Sequence, residues 1–181
     1  MILLFCGLSG AGKTTLAESV QNRLTQAAIP VELIDADVYR RRLFTDLGYS
    51  REDRFENVRR LGFIASKFAA HRVVTIISAI APYQQMRTEL TTSYPDVRVV
   101  HIDCALDELR RRDTKGLYAR AALPDYDNDR LTNLSGVNDP FEAPAAPDLY
   151  FNTESKSIDE CTGQICDYLL RERAALYKKR A

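Results

Sequence analysis

Short apolar runs alternate with longer amphipathic stretches along this chain. Apolar runs rich in β-branched residues predict strands at 2–6, 31–34, 73–80, 97–102 and 149–152. Apolar residues that recur every three or four positions predict helices at 14–27, 54–70, 83–92, 106–112 and 158–177. Because strands and helices alternate, we expect an α/β fold in which helices flank a five-stranded parallel sheet. A ligand crevice should then lie at the carboxyl ends of the strands.

The segment 113–147 interrupts this alternation. It contains four prolines, several Asp and Asn residues and no clean periodicity. A segment of this length without regular structure inside a compact domain is usually functional or mobile. We therefore interpret residues 113–147 as a lid, within a single domain that spans residues 1–181.

Composition narrows the class of partner. The chain has 25 basic and 25 acidic residues and a net charge of zero, which argues against a general binder of nucleic acid or membranes. The apolar run 1–6 lacks a preceding basic region and ends in glycines, so it indicates a strand rather than a signal peptide. The four cysteines show no CxxC spacing, so neither a zinc site nor a disulfide framework is expected. Reduced thiols fit a cytoplasmic protein.

A phosphate-binding motif lies between the first strand and the first helix. Residues 7–14 read GLSGAGKT, which matches the pattern G-x-x-x-x-G-K-[ST]. Its glycines let backbone N–H groups turn toward phosphate oxygens, the lysine reaches the β- and γ-phosphates, and the threonine hydroxyl binds Mg²⁺. The alternative, a glycine-rich turn with a chance lysine, does not explain the strand-loop-helix context. The motif predicts ATP as co-substrate with Mg²⁺, and the candidate ATP-binding residues here are Gly7, Ser9, Gly10, Ala11, Gly12, Lys13, Thr14 and Thr15.

Two carboxylates follow the second strand. Asp35 and Asp37 are two residues apart, so in a strand they would point the same way, beside the phosphate loop. One could bind Mg²⁺ together with Thr14, a role we give to Asp35, and the other could receive the proton of an acceptor hydroxyl, for which Asp37 is preferred. The alternative is that Asp37 only caps a helix at 38–43.

The chain resembles the adenylylsulfate (APS) kinases, which use ATP to phosphorylate the 3′-hydroxyl of adenosine 5′-phosphosulfate. Five ordered segments carry the resemblance in addition to the phosphate loop. They are residues 46–54 (DLGYSREDR), 56–60 (ENVRR), 81–83 (APY), 112–118 (RDTKGLY) and 139–144 (DPFEAP). The similarity extends from residue 2 to about residue 152.

The resemblance implies further site residues. Arg40, Arg54 and Asn57 would bind the phosphate-sulfate side of the acceptor, since arginine suits planar anions. Lys115 would reach the transferring phosphate when the lid closes, which completes a catalytic set of Lys13, Asp35, Asp37 and Lys115. Arg112 and Pro144 would contact the donor nucleotide. A homodimer is also implied. For the arginines, the alternative is a solvated helix face.

The chain departs from the family pattern around the acceptor. Ala81 replaces a serine that has been described as a phosphorylated intermediate, so we expect direct in-line transfer. Arg41 and Leu134 stand where flat side chains usually surround the acceptor base, and Arg41 could stack on a base through its guanidinium plane. The lid is about five residues longer than usual and lacks the family's lysine, for which Arg130 is a candidate replacement.

Three functions remain open on these grounds. APS is the expected acceptor. A related enzyme acting on another nucleotide, such as cytidine diphosphoramidate, is the first alternative, because the base pocket is the least family-like part of the sequence. A non-catalytic nucleotide-binding module is the second, but it would need only the phosphate loop and not Asp35, Asp37 and Lys115 together.

Overall fold

The structure is a computed structural model that describes the backbone of residues 1–180 and the side chains of residues 1–173. The strands are β1 (Ile2–Cys6), β2 (Val31–Asp35), β3 (Val74–Ser78), β4 (Val97–Asp103) and β5 (Leu149–Asn152). The helices are α1 (Lys13–Gln26), α2 (Ala36–Arg42), α3 (Arg51–Ala70), α4 (Gln84–Ser93), α5 (Leu106–Arg112), α6 (Leu117–Ala121) and α7 (Ile158–Arg180).

The five strands form one parallel sheet in the order β2-β3-β1-β4-β5. The predicted fold class is confirmed. β1 lies in the centre, and its first residue, Ile2, pairs with Thr75 on one side and Val97 on the other. β2 and β3 lie on one side of β1, and β4 and β5 lie on the other. The direction in which successive strands are added to the sheet therefore reverses at β1. The loop after β1 therefore opens into the crevice expected of such a sheet.

Two hydrophobic clusters cover the two faces of the sheet. Side chains of a strand alternate between faces, so Leu3 and Phe5 of β1 pack in one cluster with α1 and α7, while Leu4 and Cys6 pack in the other with α3 and α4. All five residues of β1 are buried, which explains why the strand reads as a continuous apolar run. In the part of the chain that is described, no helix combines the length and apolar character required to cross a bilayer.

Two local features differ from the sequence-based expectation. The helix predicted at 38–43 begins at Ala36, and its cap is Asp35 rather than Asp37, since the Asp35 carboxylate accepts hydrogen bonds from the backbone N–H groups of Asp37 and Val38. The lid segment is also more structured than its sequence suggests. It contains α6 and a bridge between Ser135 and Asp139.

Candidate active site

The phosphate loop joins β1 to α1 in a conformation that requires its glycines. A Cβ atom at Gly7 would collide with the carbonyl oxygen of Ile102 on β4. Gly12, the residue before α1, has a φ of 92°, which side chains rarely tolerate. The loop therefore curls tightly over the end of the central strand. Its backbone donors and the N-terminus of α1 form an anion-binding concavity.

Two lysines approach this concavity from different segments. The Nζ atom of Lys13 donates to the Leu8 carbonyl at 2.7 Å. Burial, together with the positive charge of Lys115, lowers the pKa of Lys13 to about 8. Lys115 lies at the start of the lid and places its Nζ atom 2.9 Å from Asp37 Oδ2. The two cations thus lie near each other, an arrangement that favours an anionic ligand between them.

Asp35 and Asp37 have different surroundings. Asp35 ends β2; its Oδ1 atom caps α2, and its Oδ2 atom accepts a hydrogen bond from the Thr14 hydroxyl at 3.0 Å. The Ser78 hydroxyl lies 3.4 Å from the Thr14 hydroxyl. Asp37 belongs to the first turn of α2, not to the strand, so the expectation that both acids share one face of β2 was wrong. Helix α2 nevertheless presents Asp37 to the same concavity, where it meets Lys115.

These groups enclose a cavity of about 190 Å³, which we call the phosphate cavity. Its lining includes Ser9, Gly10, Gly12, Lys13, Thr14, Thr15, Asp35, Asp37, Ser78 and Lys115. All four candidate catalytic residues therefore converge on one site. Gly7 and Ala11 contribute to the backbone of the same loop, and Ala11 is fully buried.

A second and larger cavity adjoins the first. It has a volume of about 960 Å³, and we call it the large cavity. Asp37 and Lys115 line both cavities, so a group bound in either one meets the same carboxylate and the same ammonium. Among the predicted acceptor-binding residues, Arg41, Arg54 and Leu134 line the large cavity. A volume of this size accommodates a nucleotide.

A narrow pocket with two arginines connects to this region. Arg40, Arg54 and Asn57 line it and are all nearly buried. The Arg54 guanidinium donates to the carbonyls of Tyr49 and Asn133 and to the Ser135 hydroxyl, so α3 is tied to the lid. The Asn57 side-chain oxygen is buried and lacks a hydrogen-bond partner among the described residues. Such an atom marks a position that a ligand or a water completes.

Tyr49 is a residue of the large cavity that the sequence analysis missed. Its ring lies 4.8 Å from the guanidinium carbon of Arg40 and 5.9 Å from that of Arg54. Tyr49 is 53% exposed and lines the large cavity, whose apolar wall includes the buried Leu134. The signal was present, because Tyr49 is the aromatic residue of segment 46–54. Arg41, the candidate for stacking on a base, is exposed, and its Nε atom donates to the Asp37 carbonyl at 3.3 Å.

Three predicted residues, Arg112, Arg130 and Pro144, lie outside the phosphate loop and line neither the two cavities nor the narrow pocket. Arg112 ends α5, where its Nε atom donates to Glu108 at 2.7 Å. Arg130 contacts the Asp125 carboxylate within the lid, so the structure gives no support to its role as a replacement for the missing lysine. Pro144 is partly buried at the exit of the lid.

A parallel sheet with this strand order, a phosphate loop and acidic residues at the end of the neighbouring strand defines a P-loop kinase. Comparison with known proteins identifies the group. The adenylylsulphate kinase family model matches residues 1–152, and the chain belongs to this family of phosphotransferases.

Relatives of known name support this assignment. The adenylyl-sulfate kinase of Chloroflexus aurantiacus is 42% identical over 171 residues, which cover 94% of this chain and 89% of the relative. That of Deinococcus deserti is 39% identical over 93% of this chain and 90% of its own. A solved structure of the Mycobacterium tuberculosis APS kinase in complex with AMPPNP and APS superposes with a TM-score of 0.85 at 34% identity, covering 93% of this chain and 96% of the other.

Proposed function

We propose that this protein transfers the γ-phosphoryl group of ATP to the 3′-hydroxyl of adenosine 5′-phosphosulfate, producing 3′-phosphoadenylyl sulfate and ADP in sulfate assimilation. The observation that carries the proposal is the junction of the two cavities. Asp37 and Lys115 line both the phosphate cavity and the large cavity, so a donor phosphate in one would meet an acceptor hydroxyl from the other at these two side chains. Family membership supplies the expected nucleotides.

The residues around the phosphate cavity have different roles in phosphoryl transfer. Lys13 and Lys115 stabilise the negative charge that spreads over the migrating phosphoryl group, and such preorganised charge is a large contribution in catalysis. Asp37 orients the acceptor hydroxyl and takes its proton. With no serine at position 81, transfer proceeds directly from donor to acceptor.

The oxygen ligands around Thr14 fit Mg²⁺. The Thr14 hydroxyl and the Asp35 carboxylate are 3.0 Å apart and provide hard oxygen atoms, the type that Mg²⁺ prefers beside nucleotide phosphates. When bound, the ion would neutralise the charge that develops on the phosphate oxygens. Asp35 also caps α2, so its carboxylate is already held in place by the Asp37 and Val38 N–H groups.

The acceptor would extend from Asp37 into the large cavity. Its anionic end would enter the narrow pocket of Arg40, Arg54 and Asn57, where the guanidinium groups supply charge and fixed geometry. Its base would lie between the Tyr49 ring and Leu134. Stacking on one aromatic ring contributes about 1–3 kcal/mol, so Tyr49 supplies one of the flat surfaces that Arg41 and Leu134 do not.

The acceptor is tested by measuring ADP release at fixed ATP and Mg²⁺ with APS, cytidine diphosphate derivatives and nucleoside monophosphates in parallel. Saturable turnover with APS, lost in Lys13→Ala, is the expected result. Turnover with a cytidine nucleotide and none with APS would retain the reaction class and refute the acceptor. Absence of turnover with every acceptor, although ATP binds, would favour a binding module.

Three further properties belong to this proposal. The chain would act as a single domain, residues 1–181, whose lid at about 113–147 closes over both nucleotides. It would form a homodimer, as the family resemblance implies, and light scattering at micromolar concentration should give twice the mass of one chain. It would work in the cytoplasm, where its four unpaired and buried cysteines stay reduced.

A further inference from the structure

The entry to the lid is attached to the phosphate loop by one tyrosine. The Tyr118 hydroxyl, on α6, donates to the carbonyl oxygen of Ser9 at 2.8 Å. The tyrosine is 6% exposed and belongs to the hydrophobic cluster that contains Leu109 and Ala121. Burial raises the pKa of Tyr118 to about 12, so the hydroxyl keeps its proton at physiological pH. The bond joins two segments that are 109 residues apart in the chain.

Hydrogen bonds to Asp113 close the turn that precedes α6. Asp113 has a φ of 25°, and its carboxylate accepts hydrogen bonds from the N–H groups of Tyr118 at 3.1 Å and Ala119 at 2.9 Å. The Asp113 carbonyl accepts a further bond from the Gly116 N–H at 2.9 Å. These contacts fix the backbone from residue 113 to residue 119. The turn is therefore held by its own hydrogen bonds.

Lys115 lies within this folded turn. Its side chain reaches the phosphate cavity and contacts Asp37 at 2.9 Å. Ser9, the partner of Tyr118, is four residues before Lys13 in the phosphate loop. The bond between Tyr118 and Ser9 therefore connects the segment that carries Lys115 to the segment that carries Lys13. Among the described residues, no other hydrogen bond joins residues 113–119 to the phosphate loop.

We propose that Tyr118 is a positioning residue that holds Lys115 at a fixed distance from Lys13, with the ammonium group placed for phosphoryl transfer before the lid closes. The proposal rests on the phosphoryl transfer proposed above. It separates the lid into two parts: an entry, 113–121, that is fixed to the phosphate loop, and the remainder, which alone needs to move. Tyr118 touches neither nucleotide in this assignment and acts only through Lys115 and Ser9.

A double-mutant cycle tests the proposal. Tyr118→Phe retains the buried ring and removes the hydroxyl, and misplacing a catalytic group in this way should lower kcat on the order of ten-fold, with KM for APS changed by less than about two-fold. In a Lys115→Ala background the same substitution should change kcat by less than about two-fold, because the group that it positions is absent. Tyr168→Phe is the matched control. It removes a tyrosine hydroxyl of α7 that donates to the Asp148 carboxylate, and it should leave kcat unchanged.

Two kinetic results and one binding result would overturn the proposal. Equal effects of Tyr118→Phe in both backgrounds, or a rise in KM for ATP with kcat unchanged, would overturn the proposal, since either would mean that the hydroxyl shapes the phosphate loop and not the position of Lys115. A second measurement does not depend on the acceptor: Tyr118→Phe should weaken binding of Mg²⁺-ADP with aluminium fluoride, a mimic of the transferring phosphoryl group, on the order of ten-fold and leave ADP affinity unchanged. Equal binding of the mimic would refute the proposal. Lack of APS turnover in the wild type would refute only the proposed function.

Discussion

Substitution of the buried Arg87 should destabilise this protein. Arg87 is 1% exposed and the largest fully buried side chain of the described residues. Its guanidinium donates to the carbonyl oxygens of Ala81 and Glu142 at 2.6 Å each and to the Gln84 side chain at 2.8 Å. Ala81 has a φ of 44°, unusual for a residue with a side chain. Arg87 therefore holds a strained turn after β3 against the exit of the lid.

The substitution Arg87→Met keeps most of the buried volume but removes the donors to both carbonyls. A hydrogen bond from a charged group contributes about 1.5–3 kcal/mol, so losing two such bonds would cost about 3–6 kcal/mol. Removing the buried charge also removes its desolvation penalty, which offsets part of this loss, and we expect a net destabilisation of about 2–4 kcal/mol. For a domain of this size each kcal/mol lowers Tm by about 2–4 °C.

Urea denaturation followed by far-UV circular dichroism measures the effect as a change in midpoint at constant slope. Arg59→Met is the control, because Arg59 is exposed and paired with Glu89 at the surface, where such a pair contributes at most about 1 kcal/mol. Since Ala81 and Pro82 line the narrow arginine pocket, KM for the acceptor should also rise in Arg87→Met. A free energy of unfolding within about 0.5 kcal/mol of wild type would show that these hydrogen bonds do not hold the turn.

Three other predictions follow from the site. Lys13→Ala and Asp37→Ala should each abolish transfer and leave the circular dichroism spectrum unchanged; near-wild-type turnover in Asp37→Ala would exclude it as the base. Residues 122–147 should gain protection from hydrogen exchange when ADP and acceptor are added, and unchanged protection would contradict a closing lid. Because burial holds the pKa of Lys13 at about 8 in the free protein and phosphate oxygens favour its charged form, ATP affinity should fall as the pH rises above 8. Binding above that pH should take up a proton in calorimetry, and Lys13→Arg, whose side chain stays charged, should show neither effect.

Much of the fold could be predicted because short stretches of sequence encode its strands and its phosphate loop. β1 is buried on both faces, so it reads as an unbroken apolar run, and the phosphate loop is a strict local pattern after it. The cap of α2 was misassigned because two acids at 35 and 37 are equivalent in sequence, and only the backbone angles decide which one precedes the helix.

The missed residues depend on contacts between distant segments. Arg87 contacts a carbonyl 55 residues away, and Tyr118 one that is 109 residues away. Periodicity places Arg87 on a helix and leaves Tyr118 in the irregular segment 113–147, and in neither case does it indicate such a partner. Tyr49 was overlooked for a related reason, since its place in the large cavity follows from how the loop before α3 packs beside Arg40 and Arg54.

The two cavities share Asp37 and Lys115 among their lining residues, but much of the rest of their walls comes from different parts of the chain, and this difference bears on how such enzymes diversify. Apart from Thr114 and Lys115, the phosphate cavity is lined by the β1–α1 loop with the start of α1 and by residues at the ends of β2 and β3. Tyr49 and Leu134, the surfaces proposed for the acceptor base, come from irregular segments outside the sheet. Mutations in those segments can change which nucleotide is accepted while the transfer machinery stays intact. A duplicated copy of this protein could therefore acquire a new acceptor by substitutions in these irregular segments alone, without an inactive intermediate.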